Sequence, residues 1–538
     1  MPHLTVLYNG NFITQDQKQP RATALAILDE RIVAVGQTTQ ALEQYRAAPF
    51  KSEWIDLQGK TVLPGLTDAH LHLQNYSLSL QKLDCETETL PACLARVAER
   101  ANSLPAGAWI LGHGWNQNRW QSGFGDAADL DRVAPHHPVY LTAKSLHAAW
   151  VNSLALEKAA IHAHTPDPPG GSIQRRPDGT PSGILFENAM QLVAQCIPPP
   201  DNRQLKQAIL EAQATLLRLG VTCVHDFDGH QCFSALQELH QEGLLILRVI
   251  KNLPADLMEK AIALGLRSGF GDDRLRLGSL KFFADGALGP RTAAMFEPYL
   301  GEPENRGALL LDSETLTEMG SLAVQNGWSL AVHAIGDRAN HEALNAFQNL
   351  RRIEQESTSK TTARLRHRIE HVQVLHPKDL HRLAELRLIA SMQPFHAPSD
   401  MEMAERYWGR QRNRYAYAWR TQLDHGVVLA FGSDAPVEVP NPFWGLHAAV
   451  TRQRADGSPT IEGWIPEEKI PLTEALNAYT TGAAYAAGLE NRLGRLAPSY
   501  YADLIVLAQD PFAISPPELR DLQPCATMVG GKWVWGEI

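Results

Sequence analysis

Two histidines separated by one residue close the run "VLPGLTDAHLHL" (Val62–Leu73). On a β-strand, residues i and i+2 face the same side, so the rings of His70 and His72 aim at one place. Two convergent neutral imidazoles suit a metal ion. An isolated HxH is more often a pair of loop histidines, so what matters is whether the chain supplies further ligands. It places several polar residues at the ends of other apolar runs: Lys281 in "SLKFFADG", His333 in "LAVHAIG", His371 in "RIEHVQV" and Asp434 in "FGSDAP". Each alone has a dull explanation as a strand-end polar group. All of them at one end of one sheet would be hard to produce by chance.

Side chains this far apart in sequence meet only if a fold gathers the ends of many strands. Eight strand-like runs can be read: "GLTDAHLH", "GVTCVHDFD", "LLILRVIKN", "LGSLKFFADG", "WSLAVHAIG", "LRHRIEH", "RLIASMQP" and "GVVLAFGSDAP". Helical stretches such as "QLKQAILEAQATLLRLG" and "PKDLHRLAEL" lie between them, the pattern of βα units on a parallel sheet. Eight units predict a (β/α)8 TIM-like barrel, whose active site lies at the C-terminal strand ends.

The first sixty residues read instead as short strands with turns at Asn9-Gly10 and Asp29-Glu30. "ADLIVLAQD" and "ATMVGGKWVWGE" continue that style at the far end. The expected organisation is α/β: a small β-sandwich built from both chain ends (1–63 and 489–538) and a barrel over 64–488. Roughly 150 residues separate His72 from the run at Val221, against about 2–6 for a βα loop. Residues 75–200 are therefore read as an inserted subdomain after the first strand, with "CIPPPDN" as the linker back.

Composition limits the partners. The 538 residues are 44% hydrophobic and 20% charged, and 49 Lys and Arg against 59 Asp and Glu give a net charge of -10. That balance argues against a nucleic-acid or anionic-membrane surface. No apolar stretch approaches the roughly 20 residues of a membrane span. The start "MPHLTVLYNG" lacks the regions of a signal peptide, and the six scattered cysteines form no CxxC. A reducing, cytoplasmic setting is expected.

With the phrases "LPGLTDAHLH", "GWNQNRW", "HAAWVNSLAL", "KFFADGALG", "HAIGDRA", "RIEHVQVL", "SMQPFHAPSD", "FGSDAPVE" and "ADLIVL", the chain resembles the amidohydrolase superfamily. It is most similar to the amidohydrolase-3 subgroup of YtcJ-like and N-substituted formamide deformylase-like enzymes. The resemblance implies a metal-dependent hydrolase of carbon–nitrogen bonds other than peptide bonds. It implies that His70, His72 and Asp434 hold one divalent ion, expected to be zinc, and that His333 and His371 hold a second. Lys281 would bridge them as a carbamate formed with CO2. An ammonium has no lone pair and repels cations, whereas a carbamate is an anionic oxygen ligand. The alternative is an unmodified Lys281 paired with a carboxylate such as Asp285, beside a single metal. A divalent ion lowers the pKa of a coordinated water to roughly 7. Asp434 would take that water's proton and pass it to the leaving nitrogen.

Other polar residues are read from their positions. His396 in "QPFHAPSD" is placed to touch substrate or to cap its loop. His147 and Trp150 of "HAAWVN" and Trp115 of "GHGWNQN" line a lid or build the insertion's core. Asp285 and Arg291 follow the fourth run, where they recognise a polar substrate group or, for Arg291, form a surface ion pair. His225 and Asp226 close the second run and are read as support for the ligands. "LAPSYYADL" departs from the family text, which usually carries Gly-Lys before Ala-Asp; no catalytic residue lies there.

The expected substrate is a small-molecule amide, such as an N-substituted formamide or another linear amide, under a lid carrying Trp109, Trp115, Trp120 and Trp150. A cyclic-amide hydrolase or deaminase is the alternative within the superfamily. A barrel without catalysis, serving only in binding, is disfavoured by the complete ligand set. Neither nucleic acid nor membrane is expected as a partner, and a homodimer is the assembly to test.

Overall fold

The computed structural model describes residues 2–37, 42, 51–117, 119–121, 123–144, 148–356 and 365–538. Eight parallel strands form its central sheet: Leu66–Leu71, Val221–Asp226, Arg248–Pro254, Leu275–Phe283, Leu330–Ala334, Arg368–His371, Ile389–Met392 and Val428–Phe431. Each pairs with the next, so order in the sheet equals order in the chain. That is the topology of a (β/α)8 barrel. The last strand returns to the first just beyond its end. Asp434 N donates to His70 O at 2.7 Å, and His72 N donates to Ala435 O at 2.9 Å. Asp68 fastens the same seam, accepting from Ser433 N at 3.0 Å and Ser433 Oγ at 2.6 Å. The bonds that close the barrel thus also set the HxH beside Asp434.

These strands read as nearly unbroken apolar runs because both their faces are covered. Leu280, Leu330, Val332, Ile369, Met392 and Phe431 belong to one buried cluster with Leu344, Phe347 and Leu350 of the helix Asp337–Glu356. The third run begins pairing only at Arg248, four residues later than the apolar text suggests. The amides of Ile246 and Leu247 bond the side-chain oxygen of Gln213, at 2.7 and 3.1 Å, in place of a neighbouring strand.

Strands from both chain ends join in a separate eight-stranded sheet. Leu504–Leu507, near the far end, runs antiparallel to Thr61–Pro64, with Leu504 opposite Pro64 and Leu507 opposite Thr61. Its alternating residues feed two apolar clusters, one with Leu7, Leu25 and Ile27, the other with Leu4, Val6, Ala24 and Ala26. Asp29 has the left-handed φ of a turn residue at 53°. Asn9-Gly10 departs from the expectation: it lies inside one continuous strand, His3–Ile13. Asn9 has φ 54°, and the register to the neighbouring strand shifts between Tyr8 and Phe12. A left-handed residue in a strand makes a bulge as readily as a hairpin.

The chain divides into two compact units, Ser77–Ala208 and the remainder. The inserted unit has its own six-stranded sheet. Of the two readings of the insertion's tryptophans, lid or core, three of these residues take the second and build its interior. Trp115, Trp120 and Trp150 are each under 5% exposed and lie 5.8–6.4 Å apart between ring centroids. Trp115 Nε1 is bonded to Leu141 O at 2.8 Å, so this ring is a core residue. Trp109 packs, partly buried, against a neighbouring apolar cluster of the same unit. Large aromatics bury more apolar area than any other side chain, and a unit of this size needs them for its own core. His147 lies outside the described residues. No helix among the described residues is long and apolar enough to cross a membrane.

Candidate metal centre

The first barrel strand delivers His70 and His72 to one face, with ring centroids 5.7 Å apart. The His70 ring stacks on Phe227 at 4.1 Å, and its Nδ1 bonds Glu370 Oε2 at 2.6 Å. Its Nε2 is buried, has no hydrogen-bond partner, and lies 3.5 Å from Asp434 Oδ1. His72 is arranged alike, with Nδ1 on Asp228 Oδ1 at 3.1 Å and Nε2 3.4 Å from the same Asp434 oxygen. The sixth strand ends in His371, whose Nδ1 bonds Gln393 Oε1 at 2.9 Å. The His371 ring is 5.0 Å from that of His70 and 4.5 Å from that of His333. His333 bonds through Nε2, to Gly286 O at 2.9 Å, which leaves Nδ1. In His70, His333 and His371 one nitrogen is held by an acceptor and the other is left over, and in His72 one is held by Asp228 while the other faces Asp434. That is how metal-ligating histidines are oriented.

The backbone bends sharply at the same place. His371, Val372 and Asp434 have φ of 75°, 46° and 59°. Left-handed conformations at non-glycine residues cost roughly 1–3 kcal/mol each and gather where a site demands them. Val372, being β-branched, is the least suited to it.

The electrostatics follow from burial and partners. Burial and the Lys281 charge push His70 down to about 4, against the opposing pull of Glu370. Burial likewise brings His333 down to about 4 and holds His371 well below its ordinary value. These three rings are neutral at pH 7 and free to ligate. Asp434 is pushed up by burial, but the His72 hydrogen bond and the surrounding imidazoles hold it well below the usual carboxylate range. For His72, burial lowers the pKa, yet the bonds to Asp228 and Asp434 outweigh it and raise it to about 9.

A histidine must be neutral to bind metal. Metal uptake at pH 7 is therefore expected to release about one proton from His72, and to tighten by about tenfold per pH unit up to about pH 9. Calorimetry of zinc binding in buffers of different ionisation enthalpy reads that proton directly. Binding independent of pH would contradict the assignment.

Lys281, on the fourth strand, is 3% exposed. Its Nζ lies over the rings of Phe227 and Phe283, at 4.5 and 4.9 Å. Among the described residues no carboxylate lies within ion-pair distance of it. Burial brings its pKa down to about 8. Asp285 is not its partner. The Asp285 carboxylate accepts from the amides of Ala294, Ile335 and Gly336 at 2.9, 3.0 and 2.8 Å, and so ties together the loops after the fourth and fifth strands. At 1% exposed it offers no surface to a substrate. Arg291 pairs with Glu302 and lies 5.3 Å over the Tyr407 ring.

His225 and Asp226 stand behind the cluster. His225 Nδ1 meets Arg368 at 2.8 Å, and Arg368 also pairs with Glu370. Asp226 and Asp228 come together with Cys232 in an arrangement that could hold an ion. The ammonium of Lys251 already bonds Asp226 Oδ2 at 2.5 Å and the carbonyl of Asp228. That cluster is a buried ion pair that supports Asp228, and through it His72.

The remaining donors fit a divalent cation. One ligand atom each from His70, His72 and Asp434 lie within 4.8 Å of one another, and the same holds for His371, His396 and Asp434. A buried unpaired nitrogen such as His70 Nε2 costs about 1–3 kcal/mol, a cost that a bound ion removes. Glu370, Asp228 and Gln393, which orient the three rings, escape a sequence reading. Each is one or two residues from a strand end, but its partner lies at the end of another strand, so only the barrel's register reveals the pair.

The model of the amidohydrolase family matches residues 53–535. Over 99% of both chains, this one is 32% identical to the YtcJ protein of Bacillus subtilis (strain 168). It is 29% identical to the N-substituted formamide deformylase of Arthrobacter pascens, over 98% of this chain and 97% of that one. Among solved structures, an uncharacterized metal-dependent hydrolase from Pyrococcus furiosus superposes with a TM-score of 0.78 at 30% identity, covering 94% of this chain and 99% of the other.

Proposed function

We propose that this chain, which belongs to the amidohydrolase family, is a metal-dependent hydrolase that cleaves the C–N bond of a small linear amide. The observation that carries the reading is the convergence of His70 Nε2, His72 Nε2 and Asp434 Oδ1, with His70 Nε2 buried and unpartnered. His70, His72 and Asp434 would hold one ion, and His333 and His371 a second. A divalent cation held there, of which zinc suits the imidazole-rich donor set, would supply Lewis-acid polarisation of the scissile carbonyl and a more acidic water.

The chain's own residues do the rest. Asp434, ionised and fixed by its His72 bond, orients the attacking water and accepts its proton. It then gives that proton to the nitrogen as the C–N bond breaks. Phe227 and Phe283 flank Lys281, and the buried Phe227 also covers one face of the His70 ring.

Lys281 is read as the bridge. A buried ammonium without a carboxylate is costly, and a carbamate formed there with CO2 would turn Lys281 into an anionic oxygen ligand. Lys281→Ala is expected to bind one equivalent of metal where the parent binds two. Metal analysis of both proteins, purified in bicarbonate, checks this; an unchanged stoichiometry would return Lys281 to a packing role.

The similarity to an N-substituted formamide deformylase along nearly the whole chain supports a formamide or a related linear amide. The test is a kinetic panel of N-alkyl and N-aryl formamides, acyl amides, hydantoins, dihydropyrimidines and aminopurines. Turnover of the linear amides is the expected result. Turnover of the ring compounds alone would make the protein a cyclic-amide hydrolase or deaminase.

A further inference from the structure

His396 is not one of the six strand-end ligands proposed above. It opens the helix His396–Tyr407, directly after the seventh barrel strand. It is 5% exposed, and its Nε2 has no hydrogen-bond partner. One of its ring nitrogens lies within 4.8 Å of ligand atoms of both His371 and Asp434. The ring runs parallel to that of His371, 6.3 Å away with 8° between the planes. Its helix is fixed along its length: Arg454 Nε donates to Pro398 O at 2.9 Å, Tyr417 Oη to Asp400 at 2.6 Å, and Trp464 Nε1 to Glu405 at 3.0 Å.

The protons of the five rings decide its role. His70, His72 and His371 commit their Nδ1 to Glu370, Asp228 and Gln393, and His333 commits its Nε2 to Gly286 O. His396 is built the other way round. Its Nδ1 accepts from the side-chain amide of Gln373 at 3.4 Å. A neutral imidazole whose Nδ1 accepts carries its proton on Nε2. His396 therefore carries its proton on a nitrogen that has no partner, in a ring set beside His371 and Asp434, whereas the neutral His70, His333 and His371 each keep a lone pair. Asp434, ionised, accepts protons there and has none to offer an oxygen at the start of the reaction.

We infer that His396 is a catalytic hydrogen-bond donor, its Nε2–H binding the carbonyl oxygen of the substrate amide as negative charge builds on it. The inference rests on the amide-hydrolase reading above. No bond is made or broken at the ring. The water oxygen adds to the carbonyl carbon, the C–N electron pair leaves with the nitrogen, the nitrogen takes the proton held by Asp434, and Nε2 keeps its own. Removing one preorganised donor of this kind costs about 10²–10³-fold in kcat.

The test compares His396→Ala and His396→Gln with the parent, reading bound metal by mass spectrometry and kcat and KM on the best linear amide of the panel. Glutamine returns an N–H close to the place of Nε2. Unchanged metal in both variants, kcat down about 10²–10³-fold in His396→Ala with KM little altered, and partial recovery in His396→Gln are the expected results. Should the alanine variant fail to fold, His396→Phe keeps a ring in the same place without its N–H, and the parent's kcat in that variant would overturn the inference. Loss of metal would make His396 a ligand and overturn the inference, as would an alanine variant with the parent's kcat. A parent protein that holds metal but hydrolyses no amide overturns the underlying reading instead.

Discussion

Asp434→Asn is expected to lower kcat by about 10²–10⁴-fold, the usual contribution of a positioned general base, while most of the metal stays bound. The substitution keeps the shape of the side chain and one oxygen but removes its charge and its basicity. The backbone should not move. Asp434 has φ 59°, and asparagine accepts that left-handed conformation as well as any residue but glycine. The amide that bonds His70 O, and so closes the barrel, belongs to the backbone and is retained. His70, His72, His333 and His371 remain as ligands. Steady-state kinetics with metal analysis on the same preparation separate the two effects. Turnover near that of the parent would remove Asp434 from proton transfer, and loss of all metal would make its role one of ligation alone.

Much of this site can be read from the chain because a barrel turns a pattern along the sequence into a place. Six of the residues follow or end apolar runs, and the apolar runs are the strands. Once eight such runs are parallel and in sequence order, His70, His72, Lys281, His333, His371 and Asp434 share one end. What the sequence hides is anything that depends on register or on competition for a partner. Glu370 directly precedes His371 in "RIEH", and its bond to His70 across the barrel appears only when the sixth strand is laid opposite the first. Asp285 looked suited to a substrate or to Lys281, but three backbone amides claim it. The aromatic text of the insertion suggested a lid, yet Trp115, Trp120 and Trp150 pack on one another. An aromatic run does not say whether it faces a ligand or its own core. Asn9-Gly10 carries the chemistry of a hairpin turn, and the neighbouring strand makes it a bulge.

Turnover by this site depends on the metal. Without it, Asp434 and His396 face a neutral carbonyl and an ordinary water, and the Lewis-acid contribution of several kcal/mol is gone. A loss of that size is at least ~10³-fold in rate. The most direct measurement is therefore turnover of a linear amide by protein stripped with a chelator, shown to be metal-free by mass spectrometry, and then titrated with zinc or manganese. No detectable turnover is expected in the stripped protein, with recovery in proportion to bound metal that levels off at two equivalents. Full turnover in the metal-free protein would contradict that dependence.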